Sequence, residues 1–441
     1  MTQVLQKIYH FLCTIIKNIV MAGIINYIWE HKLIERPTTT EGKSVHIISC
    51  GNSGKDNGLY TDARIRIGEK TLTGCVRLHD NGYEEYMEHD NVILNVATIS
   101  NDKSTLFNGC RTPLLKIEIP EEMKKEFDCA TQQTGNLQCM ESINGISTLE
   151  QHAYMSRLLV ERMEEKGIGI KKTLHECGER WNDTLFRTIV RSLGFGIQSN
   201  AFTLLANIID IRALEKHRDN LLQLEAILLG QAGLLGSDSI PYYYRATADK
   251  ERYYSEITRE FRFLRNKFNL QILDHSIWNS NYTPHVRIAR VAQLFHLERL
   301  DISRMMQCES NAEYYSLLDC TLGGYWSNHI CIGGAETSGN GGMSRRHLDI
   351  IIINAIIPII YMWGKLHGKE RECNKAEEML HRINSEENRI VRQWKDHGAK
   401  IECAADSQAI LQLDKRYCRM HRCSECRFAY YHIRERLQAN G

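Results

Sequence analysis

Proline is scarce in this chain, six in 441 residues. Proline ends or kinks helices, so its scarcity leaves room for long ones. An excess of either charge is also missing. There are 55 lysines and arginines against 54 aspartates and glutamates, a formal net charge of +1. No whole-chain field therefore draws the molecule to nucleic acid or to a membrane, and any electrostatic partner must be met by a local patch. An unbroken apolar run long enough for a bilayer is lacking too. The stretch 11–29 carries Lys17, Asn18 and Asn26, and Leu5, Ile8, Leu12, Ile15 and Ile19 recur at helical spacing. This is an amphipathic pattern without the small-residue cleavage site of a signal peptide. The stretch Ile350–Trp363 is uncharged. It is shorter than the roughly 20 residues a bilayer needs, and Pro358 interrupts it, so it reads as a buried core helix. No membrane partner is expected.

What is present is ordinary for a soluble globular protein: 43% hydrophobic and 25% charged residues. The length allows two or three domains. The 15 cysteines are odd in number and scattered. That fits a reducing, cytoplasmic setting better than a disulfide framework.

Residues 44–119 read as strands. Ala63, Ile65 and Ile67 alternate with Arg64 and Arg66, and Val76 and Leu78 alternate with Cys75, Arg77 and His79. Period-two alternation marks half-buried strands. Val45–Ile48, Val92–Ala97 and Leu114–Ile119 are further strands, with turn signals at Gly51–Gly54, Gly68 and Asn81-Gly82. Beyond residue 146 the pattern is helical. Asn182 or Asp183, Ser199 or Asn200, and Asn384 with Glu387 are cap candidates. An apolar helix is expected over Leu221–Leu229 and another helix over Tyr253–Phe268, and Gly323–Gly342 is a long loop without the ending of a P-loop. The expected class is α+β, with a small N-terminal mixed β-sheet domain flanked by helices, a large all-α region and a Cys-rich C-terminal tip. The expected divisions are an extension over 1–20, an α/β domain over 21–145, a helical domain over 146–400 and a metal-binding tail over 401–441.

The most pointed local signal is Cys418-x4-Cys423-x2-Cys426. Three thiolates at loop spacing can hold one soft cation, with Zn²⁺ in a structural role the first expectation and an iron–sulfur cluster the second. A fourth ligand is required. His432 is the choice carried forward, with His421 and Cys403 as alternatives, while three buried free thiols in a helical tail are the non-metal account. Around the cysteines lie Lys415, Arg416, Arg419, Arg422, Arg427, Arg434 and Arg436, interleaved with Tyr417, Phe428, Tyr430 and Tyr431. Arginines among aromatics suit phosphates and bases, and equally a helix that lays its arginines along apolar neighbours.

Several segments together carry a family resemblance: Ile28–Leu33, His217–Leu235, Glu387–Val391 with Trp394, Asp406–Ala409, and Tyr417 with the terminal cysteines. The chain resembles a bacterial family of unknown function, DUF2851, from about Ile24 to Phe428. In that family a Gly-Pro-Asp stretch precedes one strand and Val-Glu-Ile-His lies on the next, which is similar to the PD-(D/E)XK nuclease core. The resemblance implies two carboxylates on neighbouring strands that hold Mg²⁺ against a phosphate. Here the second strand reads Val76-Arg77-Leu78-His79, and Asp56–Asp62 lacks the Pro-Asp step. An arginine repels Mg²⁺ but contacts phosphate directly. The expectation is a nucleic-acid-binding protein, inactive at the usual nuclease position, with Arg77 and His79 on phosphate. One alternative is a Mg²⁺-dependent nuclease whose ligand role has passed to Asp62, Asp80 or Glu69. The other is a protein–protein scaffold with structural zinc. His89 and Asp90 with Glu84, Glu85 and Glu88 form a weaker cluster, and Arg259, Arg262 and Arg265 share a helix face that Glu256 and Glu260 are expected to pair.

Overall fold

A computed structural model describes residues 24–439 apart from 35, 54–57, 80–90, 99–111, most of 122–137, 195–197, 279–282, 340–341 and 421. The chain forms two compact units. The first holds the described residues up to Tyr154 together with Arg392–Ala399 and the segment from Leu411 onward. The second holds Met155–Val391 and Lys400–Ile410. The division therefore differs from the one expected. The cysteine-bearing tail is not a domain of its own but part of the sheet unit, and its upstream residues 400–410 belong to the helical one.

The sheet unit is built on a mixed sheet ordered β1-β3-β4-β5-β6: β1 Val45–Ser49, β3 Leu59–Ile67, β4 Lys70–His79, β5 Val92–Thr98 and β6 Leu114–Ile117. The short β2, Asn52–Ser53, adds to the side of β3. The first three strands of the path are antiparallel, whereas β4, β5 and β6 run parallel. Gly68 opens the two-residue β3–β4 turn with φ +58°, a backbone that glycine adopts without strain. At Gly74 an added Cβ would stand 2.6 Å from Ile93 Cγ2 and 2.8 Å from the Asn91 carbonyl, so the approach of β5 requires glycine there.

Alternation decides the two faces. Val45, Ile47, Ala63, Ile65, Ile67, Val76, Leu78, Leu94, Val96, Leu115 and Ile117 point inward onto a helix over residues 24–30, whose Ile24, Ile25, Tyr27, Ile28 and Trp29 are buried. Ile433 of the C-terminal helix Arg427–Ala439 enters the same core. Tyr430 stacks on His31 at 4.6 Å. A buried side chain of this size contributes about 1.5–3 kcal/mol, so the tail is a structural wall of the sheet unit.

The helical unit follows the expected pattern at Leu221–Gln231 and Arg252–Phe268. The caps differ. Trp181–Ser192 starts after Arg180, and Asn182 instead accepts the Ile302 N–H. Ser199–Ile208 starts after Gln198. The helix Arg389–Asp396 is opened by Asn388, which accepts the Val391 N–H, while Asn384 bridges to Cys403. Among the described residues one helix, Arg345–His367, is long and apolar enough to cross a membrane, and 72% of its apolar window is buried in protein. It widens into a π turn over Ile352–Ile356 just ahead of Pro358. Proline has no N–H to offer the preceding turn, and the Ile353 carbonyl is met instead by Lys166 Nζ at 3.1 Å.

Candidate functional site

The outer face of the sheet carries its polar side chains in rows set by register: His46 beside Arg66 and Thr71, Ser49 beside Arg64 and Thr73, Leu59 beside Arg77 and Asn95, and His79 beside Ala97 and Lys116. His46, Arg64, Arg66 and Lys116 are exposed, and Arg77 is half-buried. The only carboxylate in the described strands is Asp62. Among the described residues neither Arg64 nor Arg66 has a carboxylate partner. Arg64 and Arg66 sit two positions apart, so their side chains leave the same face about 7 Å apart. From Arg66 to Arg77 the rows extend about 20 Å along the sheet.

The far end of this face is closed. His79 is 7% exposed and Asn95 6%, and the His79 Nε2 lies 3.0 Å from Asn95 Oδ1. Burial, opposed by the Asn95 hydrogen bond and helped by the Arg77 charge, lowers the imidazole below its ordinary value. His79 is therefore neutral at pH 7 and can contribute hydrogen bonds but no cationic charge.

Of the three carboxylates considered as replacement ligands, the two that are described, Asp62 and Glu69, do not come together around Arg77. Asp62 is exposed at a bulge with φ +57°, where the extra residue leaves the ladder. Glu69 lies in the β3–β4 turn, at the other end of the hairpin from Arg77. Asp80 lies outside the described residues, as do Glu84, Glu85, Glu88, His89 and Asp90. Among the described residues no three His, Cys, Asp or Glu side chains form a group able to hold a metal ion as they stand.

In the tail, Cys418 ends the π turn Asp414–Cys418, and Cys423 and Cys426 bracket a 3₁₀ turn in which the Cys426 N–H donates to the Cys423 carbonyl at 3.1 Å. All three thiols are pushed up in pKa by burial; Cys426 adds to the rise of Cys418 and of Cys423, the latter to about 11. Sequence spacing gave no sign of a further neighbour. Cys139, on the 3₁₀ helix Gln138–Gly145, is raised by burial and then by Cys426 and Cys423. His432 turns its Nδ1 to Ser142 Oγ at 2.8 Å. Cys403 lies in the helical unit beside Asp406 and His381, and His421 lies outside the described residues. None of the twelve described cysteines is in a disulfide.

Carboxylates of the tail itself take up tail arginines. Arg419 pairs with Asp414 at 2.6 Å, Arg422 pairs with Glu425, and Arg427 lies over the Tyr431 ring at 5.9 Å.

The helical unit has its own polar sites. A cleft of about 750 Å³ is lined by Arg191, Arg345, Arg346, Asp349, Asn384 and Glu387. Arg345 is held by Asp349 and by the Tyr315 ring, and Arg191 by Thr173 and Asn207. Elsewhere Glu225 is 5% exposed and accepts from Tyr253 at 2.8 Å, and Trp326 Nε1 donates to the Tyr253 hydroxyl at 2.7 Å. Burial raises the Glu225 carboxyl to about 7 against the lowering pull of Tyr253 and Trp326. Arg259, Arg262 and Arg265 are exposed, and the pairing expected for them with Glu256 and Glu260 is not formed: Glu256 takes Arg252 and Glu260 takes Gln223.

The family model for a protein of unknown function, DUF2851, matches residues 23–389. The chain belongs to that family. The matched span includes the sheet and most of the helical unit but stops short of the terminal cysteines, and so is shorter than the expected Ile24–Phe428. No curated protein and no solved structure matches the chain.

Proposed function

We propose that this DUF2851 protein binds nucleic acid by its phosphate backbone on the outer face of the sheet, through Arg64 and Arg66 with Arg77 and His46 at their flanks. The reading rests on one observation: two exposed arginines share a strand face, and among the described strand residues the bulged Asp62 is the only carboxylate. Arginine forks match phosphate oxygens, and release of counterions makes such contacts favourable at low salt. No comparison supports the expected likeness to a nuclease core, and set against such a core the residues argue for holding over cutting. Arg77 stands where that core requires an acid, and the candidate replacement carboxylates among the described residues lie apart. Among the described residues the rows of this face carry no Phe, Tyr or Trp on which unpaired bases could stack. Duplex, with its bases turned inward, is the preferred form. The free thiols fit the reducing interior of a cell.

The test is a salt-titrated binding assay of the full chain with duplex and single-stranded DNA and RNA. The expected result is sequence-independent binding, stronger for duplex, with a log–log salt slope of about −3.6 for four phosphate contacts. Salt-independent binding, or none at low salt, defeats the proposal. Mg²⁺-dependent cleavage lost in Asp62→Ala selects the nuclease alternative, and a folded protein without nucleic-acid affinity selects the scaffold.

A further inference from the structure

We infer that Cys139, far upstream of the tail, joins Cys418, Cys423 and Cys426 as the fourth thiolate of a structural Zn²⁺ site. The inference does not rest on nucleic-acid binding at the sheet, and its failure leaves that reading untouched.

The geometry that points to it is local. The helix Gln138–Gly145 is of the 3₁₀ type, in which residues three apart lie on the same side. Cys139 and Ser142 are such a pair. Ser142 is fixed against the C-terminal helix through the 2.8 Å bond of its hydroxyl to His432 Nδ1, so the same side of the 3₁₀ helix turns Cys139 toward the tail. On the tail's own side, the Cys423–Cys426 turn is closed by its backbone hydrogen bond, and Cys426 is only 4% exposed. Tyr154 and Phe428, edge to face at 5.0 Å, lie alongside.

The run of the two helices agrees. Gly145, three residues beyond Ser142, lies against Glu435, three residues beyond His432, so stepping back three residues from Ser142 carries Cys139 toward the start of the C-terminal helix and Cys426. Four acids of the same kind in one buried region are costly to ionise alone. A divalent cation reverses the sign of that interaction, since each thiolate then faces a positive charge. The exchange is balanced: four thiols and one Zn²⁺ give a tetrathiolate complex and four released protons. The side chains must draw inward to reach the roughly 2.3 Å of a zinc–sulfur bond, because as they stand no three form a metal-holding group. With Cys139 as a ligand, His432 keeps its bond to Ser142 and is not needed at the metal. The site would clasp two parts of the sheet unit that are distant in sequence.

The experiment uses the purified full-length chain. Elemental analysis is expected to give one zinc per chain and no visible colour. Co²⁺ exchanged into the site is expected to show the thiolate-to-metal absorbance and intense ligand-field bands of a four-sulfur tetrahedral ion. Cys139→Ser is expected to weaken metal retention in chelator by tenfold or more and to shift those bands toward three-sulfur ligation, while Cys177→Ser changes neither. Should Cys139→Ser not fold, alkylation of the unaltered protein decides. Cys139 must be protected with Cys418, Cys423 and Cys426 while metal is bound, and must react with them once chelator removes it. A metal-free protein, iron with broad visible absorbance, unchanged cobalt bands in Cys139→Ser, or a Cys139 that reacts at one rate with and without metal each overturns the inference.

Discussion

The outer face of the sheet and the C-terminal tail belong to the same compact unit and are both rich in arginine, yet their arginines have opposite surroundings. On the sheet, Arg64 and Arg66 project beside threonine, serine and histidine, and Asp62 is the only acid in the described strands. In the tail, Arg419 and Arg422 close onto Asp414 and Glu425, residues of the same short segment. An arginine already held by a carboxylate has spent its charge locally, and binding a phosphate there must first break the pair. Residue type and clustering, which make the tail the more conspicuous basic region in the sequence, therefore say less about ligand than the sign of the neighbours does.

The strongest way to break this contrast is to reverse the sheet. Arg64→Glu with Arg66→Glu is expected to weaken duplex binding by about a thousandfold at low salt, about 4 kcal/mol, and to flatten the salt slope by about 2. Circular dichroism and the melting temperature should hardly move, because both side chains are exposed. An unchanged affinity would place the binding surface elsewhere, with Arg259, Arg262 and Arg265 next in line.

Glu225 examines the converse arrangement, an acid buried where no cation pairs with it. Its folded-state pKa, about 7, lies above the ordinary carboxylate value of 4.5. The stability it contributes is therefore complete below about pH 4.5 and is lost as pH rises through about 7, by roughly 3 kcal/mol in all. Urea melts at pH 5 and pH 8.5 should show this loss, and Glu225→Gln should remove most of the difference. An identical pH slope in the variant would mean that Glu225 is paired or hydrated in solution. His79 has the opposite sign. Its depressed pKa makes its contribution complete above about pH 6.5 and lost as pH falls through the folded-state value, and His79→Gln should blunt that acid limb.

How much of this was legible in the sequence depends on the range of the interaction. The β3 and β4 alternation showed both faces of the sheet and put Arg64, Arg66 and Arg77 on the open one, because strand periodicity is a property of neighbouring residues. The helices Leu221–Gln231 and Arg252–Phe268 were equally plain. The caps were misjudged where a second partner competes: Asn182 is taken by Ile302 and Asn384 by Cys403, contacts that no local pattern encodes. The tail was expected to stand alone because its composition is distinctive. Ile433 and Tyr430 show that it is needed as a wall for the sheet and for the helix over residues 24–30. Cys139 could not be singled out from the other scattered cysteines, since only tertiary packing sets its 3₁₀ helix against the C-terminal helix, Ser142 on His432.

The finest test of the contrast is the smallest in effect. Arg77→Ala, half-buried at the edge of the open face, should cost duplex affinity about tenfold, and Lys116→Ala, isolated at the β6 edge, no more than a few-fold. The tail double variant Arg419→Ala with Arg422→Ala removes as many positive charges as the sheet double variant, but from pairs whose acids remain. It should change duplex affinity less than twofold and stability by under about 1 kcal/mol, the usual worth of an exposed ion pair. If the tail variant instead loses binding in step with the sheet variant, net charge rather than placement governs the interaction, and the pairing of Arg419 with Asp414 would have to open when the ligand arrives.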